Sequence, residues 1–134
     1  MLDLAEKGDA QTVAAWLDDG GGVDACCAER YSDVTLLMAA AGGGHEATVR
    51  MLLRRGASVN LQSSGGGTAL MGAAINGRTA IVQALLDAKA DASLQTTSGD
   101  TALVGAAING RTTIVQALLD AKADASLQDR KSVV

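Results

Sequence analysis

A stretch of 28 residues occurs twice in this chain, 33 positions apart. Residues 68–95 and 101–128 differ only at Met71/Val104 and Ala80/Thr113. Tandem copies this alike must take up the same local structure and meet their neighbours in the same way, so a fixed period of this length confines the fold to stacked repeats. The register runs backward as well: Thr35, Leu37, Gly44, Val49, Leu52 and Leu53 each stand 33 positions before Thr68, Leu70, Gly77, Val82, Leu85 and Leu86. A fourth copy lies at an offset of 36, where Gly8, Val13, Leu17, Gly20 and Val23 precede Gly44, Val49, Leu53, Gly56 and Val59. Its three additional residues fall between Asp24 and Val34, in a lengthened loop that holds Tyr31.

Within one unit, Thr68 suits the N-cap of a short helix, Leu70, Ala73 and Ala74 give it an apolar face, and Gly77 ends it after about two turns. A second helix is predicted from 78 to about 88, with Ile81, Val82, Leu85 and Leu86 at helical spacing. The polar, Gly-bearing residues 91–100 read as a loop or hairpin. Two such short helices cannot bury their apolar faces alone, so neighbouring units must share a core. That core is aliphatic, because the chain has no Phe, one Trp and one Tyr. Small residues (Ala73, Ala74, Ala106, Ala107) let the first helices approach, and Leu85, Leu86, Leu118 and Leu119 fill the space behind; Trp16 aligns with Leu85 and is assigned to the core.

At this point the chain resembles the ankyrin-repeat family. That family's unit has a 33-residue period, an opening Thr-Pro-Leu-His, an Ala-Ala pair, Gly-His before the second helix, a Leu-Leu pair and a Gly-Ala-Asp-Val-Asn hairpin. The nearest copy here reads Thr35-Leu36-Leu37-Met38, Ala40-Ala41, Gly44-His45-Glu46, Leu52-Leu53 and Gly56-Ala57-Ser58-Val59-Asn60. The resemblance implies an all-α ankyrin-repeat solenoid of about four stacked helix-turn-helix units with projecting loops or hairpins. Residues 1–134 then form one domain, with repeats at about 1–28, 29–62, 63–95 and 96–128 and a tail at 129–134. The chain departs from the pattern at the opening Pro (Leu36, Ala69, Ala102), and Lys89 and Lys122 replace Gly20 and Gly56 after the second helix. A left-handed residue is wanted there, at a cost of about 1 kcal/mol for a residue other than Gly.

Composition excludes several functions. Fifteen acids against eleven bases leave a charge of −4, so the basic field that nucleic-acid binders need is missing. No apolar run approaches the length of a membrane span, and Met1-Leu2-Asp3-Leu4-Ala5-Glu6 has no secretory pattern. The adjacent Cys26 and Cys27 cannot make a disulfide framework. The expected location is the cytoplasm, with the nucleus as the alternative.

Catalysis has little to work with. The sole His, His45, is placed at the opening of a second helix and excludes a two-His metal motif. Around Cys26, the charges of Asp24 and Glu29 outnumber Arg30 and oppose a thiolate. The triple-Gly runs at 20–22, 42–44 and 65–67 lack the Lys-Ser/Thr of a phosphate loop and read as turns. No cofactor or metal is implied, and the chain is not expected to be an enzyme. Arg50, Arg54 and Arg55 form the one basic cluster, read as a solvated helix face favourable to the macrodipole.

In the family this chain resembles, partners are gripped by hairpin tips and the exposed side of the first helices. The matching positions are Tyr31, Ser32 and Val34, then Ser64, Gly65, Ile75 and Asn76, then Thr97, Ser98, Asp100, Ile108 and Asn109. The resemblance thus implies a protein partner, bound as an extended peptide or a helix. Asn60 resembles the hairpin Asn modified by an oxygen-dependent asparaginyl hydroxylase in many ankyrin repeats; the role expected of it here is a hairpin hydrogen bond. Both ends of the chain cut a unit short, since Met1 aligns with Leu70 and Val134 with Thr101. The sequence therefore also implies either a segment of a longer array or a last face, containing Leu118, that a second copy of the chain covers.

Overall fold

The computed structural model describes residues 10–25 and 34–132, with side chains described as far as 122. Cys26, Cys27, Tyr31 and Ser32 lie outside the described residues. The described residues form seven helices: α1 (Ala10–Asp18), α2 (Leu36–Gly43), α3 (Glu46–Arg54), α4 (Ala69–Ile75), α5 (Thr79–Asp87), α6 (Ala102–Ile108) and α7 (Thr112–Ser132). Helices α2, α4 and α6 stack in one layer and α1, α3, α5 and α7 in the other, each pair α2/α3, α4/α5 and α6/α7 packing face to face.

The first helices start where the sequence places them. The Thr35, Thr68 and Thr101 hydroxyls accept the backbone N–H of Met38, Met71 and Val104 at 3.2, 3.2 and 3.3 Å, each cap contributing about 1 kcal/mol. Gly44, Gly77 and Gly110 then take φ of 81°, 74° and 69° and reverse the chain into the second helix. Arg111 reaches back over Gly77, its Nε donating to the Ile75 carbonyl at 3.3 Å, one of the carbonyls left open at the end of α4.

Repetition of the sequence becomes repetition of the core. Val13, Val49 and Val82 are buried in successive units, as are Leu37 and Leu70, Ala40, Ala73 and Ala106, and Leu52, Leu85 and Leu118. Trp16 is partly buried, packed on this core and lying against Gly21. Thr48 breaks the pattern: Ile81 and Ile114 hold the same position, and the fully buried Thr48 hydroxyl has no hydrogen-bond partner. An unmet buried hydroxyl costs about 1–3 kcal/mol. Thr48→Val, which keeps the shape, is therefore expected to raise the unfolding free energy by about 1 kcal/mol in urea titration.

Between units the chain turns through a left-handed residue, Gly20 (φ 99°), Gly56 (φ 89°) and Lys89 (φ 72°). A side chain from the preceding hairpin holds each following turn. Asp24 accepts the Ser58 N–H (2.8 Å) and hydroxyl (2.7 Å). One unit on, Asn60 accepts the Asp91 N–H (2.7 Å) and donates to the Lys89 carbonyl (3.3 Å), the hairpin role expected of it. Hydrogen bonds from the Ser93 hydroxyl, then the Ser93 N–H, hold the Asp91 carboxyl below its ordinary range. That support is present above the unfolded-state value and is lost as pH falls through the folded one.

The octapeptide Ala-Lys-Ala-Asp-Ala-Ser-Leu-Gln occurs at 88–95 and again at 121–128, and the two copies differ in structure. The first is the turn just described; the second continues α7 to Ser132, where a loop was expected. The difference lies outside the octapeptide. Asn60 clamps the first copy, whereas its counterpart one unit on is Ser93, whose hydroxyl is turned onto Asp91. Without Gly or a clamp, Lys122 stays in the right-handed region. Because Lys89 is held left-handed against its preference, Lys89→Gly is expected to stabilise the protein by about 1 kcal/mol, read as a higher urea midpoint with unchanged slope.

Hairpins stack through the backbone. Gly66 (φ 84°) closes the loop in which the Ser63 N–H donates to the Gly67 carbonyl at 2.8 Å. The Thr97 N–H of the next hairpin donates to the Gly65 carbonyl at 3.0 Å, and Gln62 Nε2 donates to both the Gly66 and Gln95 carbonyls at 3.1 Å.

The last unit corrects one expectation. Leu118 is 2% exposed, because the Ile114/Leu118 stripe of α7 turns back into the stack as Ile81 and Leu85 do. The uncovered apolar positions are the next ones round: Ala107 is exposed where Ala74 is fully buried, and Leu119 is 43% exposed.

Candidate functional site

The exposed sides of α2, α4 and α6 and the bases of the hairpins enclose a concave groove of about 460 Å³. Its floor is made of two rows that run along the stack, one residue per unit. Met38, Met71 and Val104 form the first row and Ile75 and Ile108 the second. Ile75 and Ile108 are 42% and 78% exposed. Ile75 lies against Gly105, where an added Cβ would meet its Cγ1 at 2.8 Å, so glycine is what lets α4 and α6 approach this closely.

Of the positions assigned from sequence, Val34, Ile75, Asp100, Ile108 and Asn109 line the groove. Asn76 is exposed at the end of α4, and its amide folds back, Nδ2 donating to the Gly72 carbonyl at 2.9 Å. Asn109 does the same to Gly105 at 2.8 Å. Ser64, Thr97 and Ser98 are exposed on the hairpins without lining the groove. Tyr31 and Ser32 fall outside the described residues.

Sequence reasoning missed the floor itself. Met38 and Met71 were given no role in the sequence reading, yet theirs is one of the two columns in which the near-identical copies diverge, Met71 against Val104. A difference tolerated inside an otherwise copied unit is the signal that would have found it.

The groove's polar groups are mostly committed internally. The Thr68 and Thr101 hydroxyls cap helices, Ser63 Oγ accepts the Gly67 N–H at 3.1 Å, and Thr96 Oγ1 accepts the N–H of Ser98 and Asp100 at 3.3 and 3.2 Å. Asp100 is the one ionisable residue among the described residues that line it. No group of three or more His, Cys, Asp or Glu gathers anywhere among the described residues, and no described helix is long and apolar enough to cross a membrane.

The basic cluster lies on the other layer, in α3 and just past its end. Arg50 pairs with Glu46 at 2.9 Å, and Arg55 pairs with Asp18 at the end of α1. Two of the three arginines are thus engaged within the chain. His45 stands at the N-cap of α3 without using its side chain as the cap.

The family model for ankyrin repeats in three copies matches residues 1–96 and, in a second register, 36–129. No curated protein matches the chain.

Proposed function

The chain belongs to the ankyrin-repeat family, whose members are generally protein-protein interaction modules, and from that premise we propose that it is a non-catalytic module gripping one partner protein in the groove of α2, α4 and α6. The observation that carries this reading is the pair Ile75 and Ile108, large apolar side chains left 42% and 78% exposed on a concave surface. Apolar groups presented together in a concavity favour a partner that removes them from water. Tyr31, Ser32, Ser64, Asn76, Thr97 and Ser98 are the proposed outer contacts, with Val34, Asp100 and Asn109 inside.

Capture from cell extract on the immobilised chain tests it. Wild type and an Arg54→Glu variant, altered on the opposite layer, are expected to retain the same proteins. An Ile75→Asp, Ile108→Asp variant should lose at least one of them by more than tenfold while keeping its circular dichroism spectrum. Equal recovery by all three refutes the groove.

A second reading, a self-associating unit stacked through its ends, is favoured by the exposure of Ala107 and Leu119. It predicts a dimer in concentration-dependent light scattering that Leu119→Asp abolishes; a monomer at high concentration removes it.

A further inference from the structure

The groove's geometry and its remaining polar groups specify the occupant more narrowly than a protein of some kind. The floor repeats once per unit, as Met71 then Val104 and as Ile75 then Ile108, at the interval of packed helices, about 8–10 Å. A segment laid along the stack gains most when its own apolar side chains recur at that interval on one side. A polyproline II segment has three residues per turn and a rise of about 3.1 Å, so residues i and i+3 share a side about 9 Å apart. A β-strand repeats a side every two residues, about 7 Å, and slips out of register by the second unit. An α-helix brings a side chain to the same side every turn, about 5.4 Å, so every second one falls between the units.

Charge settles the other half. The Ser and Thr hydroxyls at the groove accept backbone N–H groups and the Asn109 amide folds onto Gly105, all of them neutral, so the charge offered by the described lining residues is the Asp100 carboxylate. Among the described residues no Lys or Arg lines the groove; Arg50, Arg54, Arg55, Arg78, Lys89 and Arg111 sit on the second helices or the turns beside them.

Resting on the reading above, we infer that the groove takes an extended segment of polyproline II form, with two aliphatic side chains three residues apart and a Lys or Arg beyond them at the Asp100 end. The aliphatic pair seats on the Met71/Ile75 and Val104/Ile108 positions. The cation meets Asp100, just before α6, the last first-layer helix, and this fixes the direction of the segment along the stack.

The probes are four Ala/Pro dodecapeptides, capped at both ends. Three carry Leu at i and i+3 with Lys, Ala or Glu at i+6; the fourth carries Leu at i and i+2 with Lys. Titrations follow the methionine methyl signals of the whole chain, Met38 and Met71 reporting the groove and Met51, on α3, serving as internal control. The Lys peptide should move Met38 and Met71 but not Met51, and bind at least tenfold more tightly than the Glu peptide and the i, i+2 peptide. Asp100→Lys should reverse the order of the Lys and Glu peptides. Equal binding of Lys and Glu peptides, an order unchanged by Asp100→Lys, or no groove shift with any peptide at millimolar concentration overturns the inference. The capture experiment fails separately: a partner lost by Ile75→Asp, Ile108→Asp whose contacting segment lacks this pattern refutes the segment and leaves the groove.

Discussion

Leu85→Ala should lower the unfolding free energy by about 3–5 kcal/mol, a large part of the roughly 5–15 kcal/mol that holds a domain of this size together. Leu85 is fully buried in α5, the second-layer helix flanked by both α3 and α7. Removing its isopropyl group leaves a cavity bounded by helices of three units, none of which can move in without losing contacts of its own. The control is chemically identical: Leu119→Ala, at a position 43% exposed in the last unit, should cost less than 1 kcal/mol. Urea unfolding followed by circular dichroism measures both. Equal costs for the two would mean that the interior is not shared between units.

Gly66→Ala is expected to destabilise by about 2–3 kcal/mol, and Gly99→Ala by only about 1. Both glycines take nearly the same left-handed φ, 84° and 85°, so the backbone penalty of a side chain is common to the two. They differ in what the new methyl meets. At Gly66 it would lie 2.7 Å from Thr96 Cα and 2.9 Å from the Gln95 carbonyl oxygen, whereas at Gly99 nothing lies within 4 Å. Backbone atoms cannot swing aside, so Gly66→Ala must push the next hairpin away, breaking the Thr97-to-Gly65 and Gln62-to-Gln95 bonds. The difference between the two variants measures the stacking of hairpins, which also forms one wall of the groove. Amide exchange at Thr97 should accelerate in Gly66→Ala and not in Gly99→Ala.

How much of this was legible in the sequence follows from what repeats. The period, the Thr caps, the αL glycines and the buried Val and Leu columns come directly from aligned copies, because a stack imposes one environment on each column. Whatever depends on a unit's neighbours escaped. Leu118 and Leu119 were both assigned to the interior, and Leu118 also to an open last face; Leu118 turns inward and Leu119 outward, a rotation of about 100° that no apolar pattern resolves when both residues are Leu. The second octapeptide copy was assigned a loop, because the clamp that makes the first copy turn belongs to the preceding hairpin, at Asn60. Asn76 and Asn109 were assigned to the groove, and nothing in the sequence showed that both amides fold back onto their own helices. Met38 and Met71 were hidden for the opposite reason: a two-turn helix packed on both layers has no single apolar stripe, so floor and core look alike.

The account rests on units that exclude water only by leaning on one another. Circular dichroism of a peptide comprising residues 63–95 alone tests this most directly. The account predicts a coil spectrum without a cooperative melt, in contrast to the helical full chain. A helical peptide with its own sharp thermal transition would contradict it.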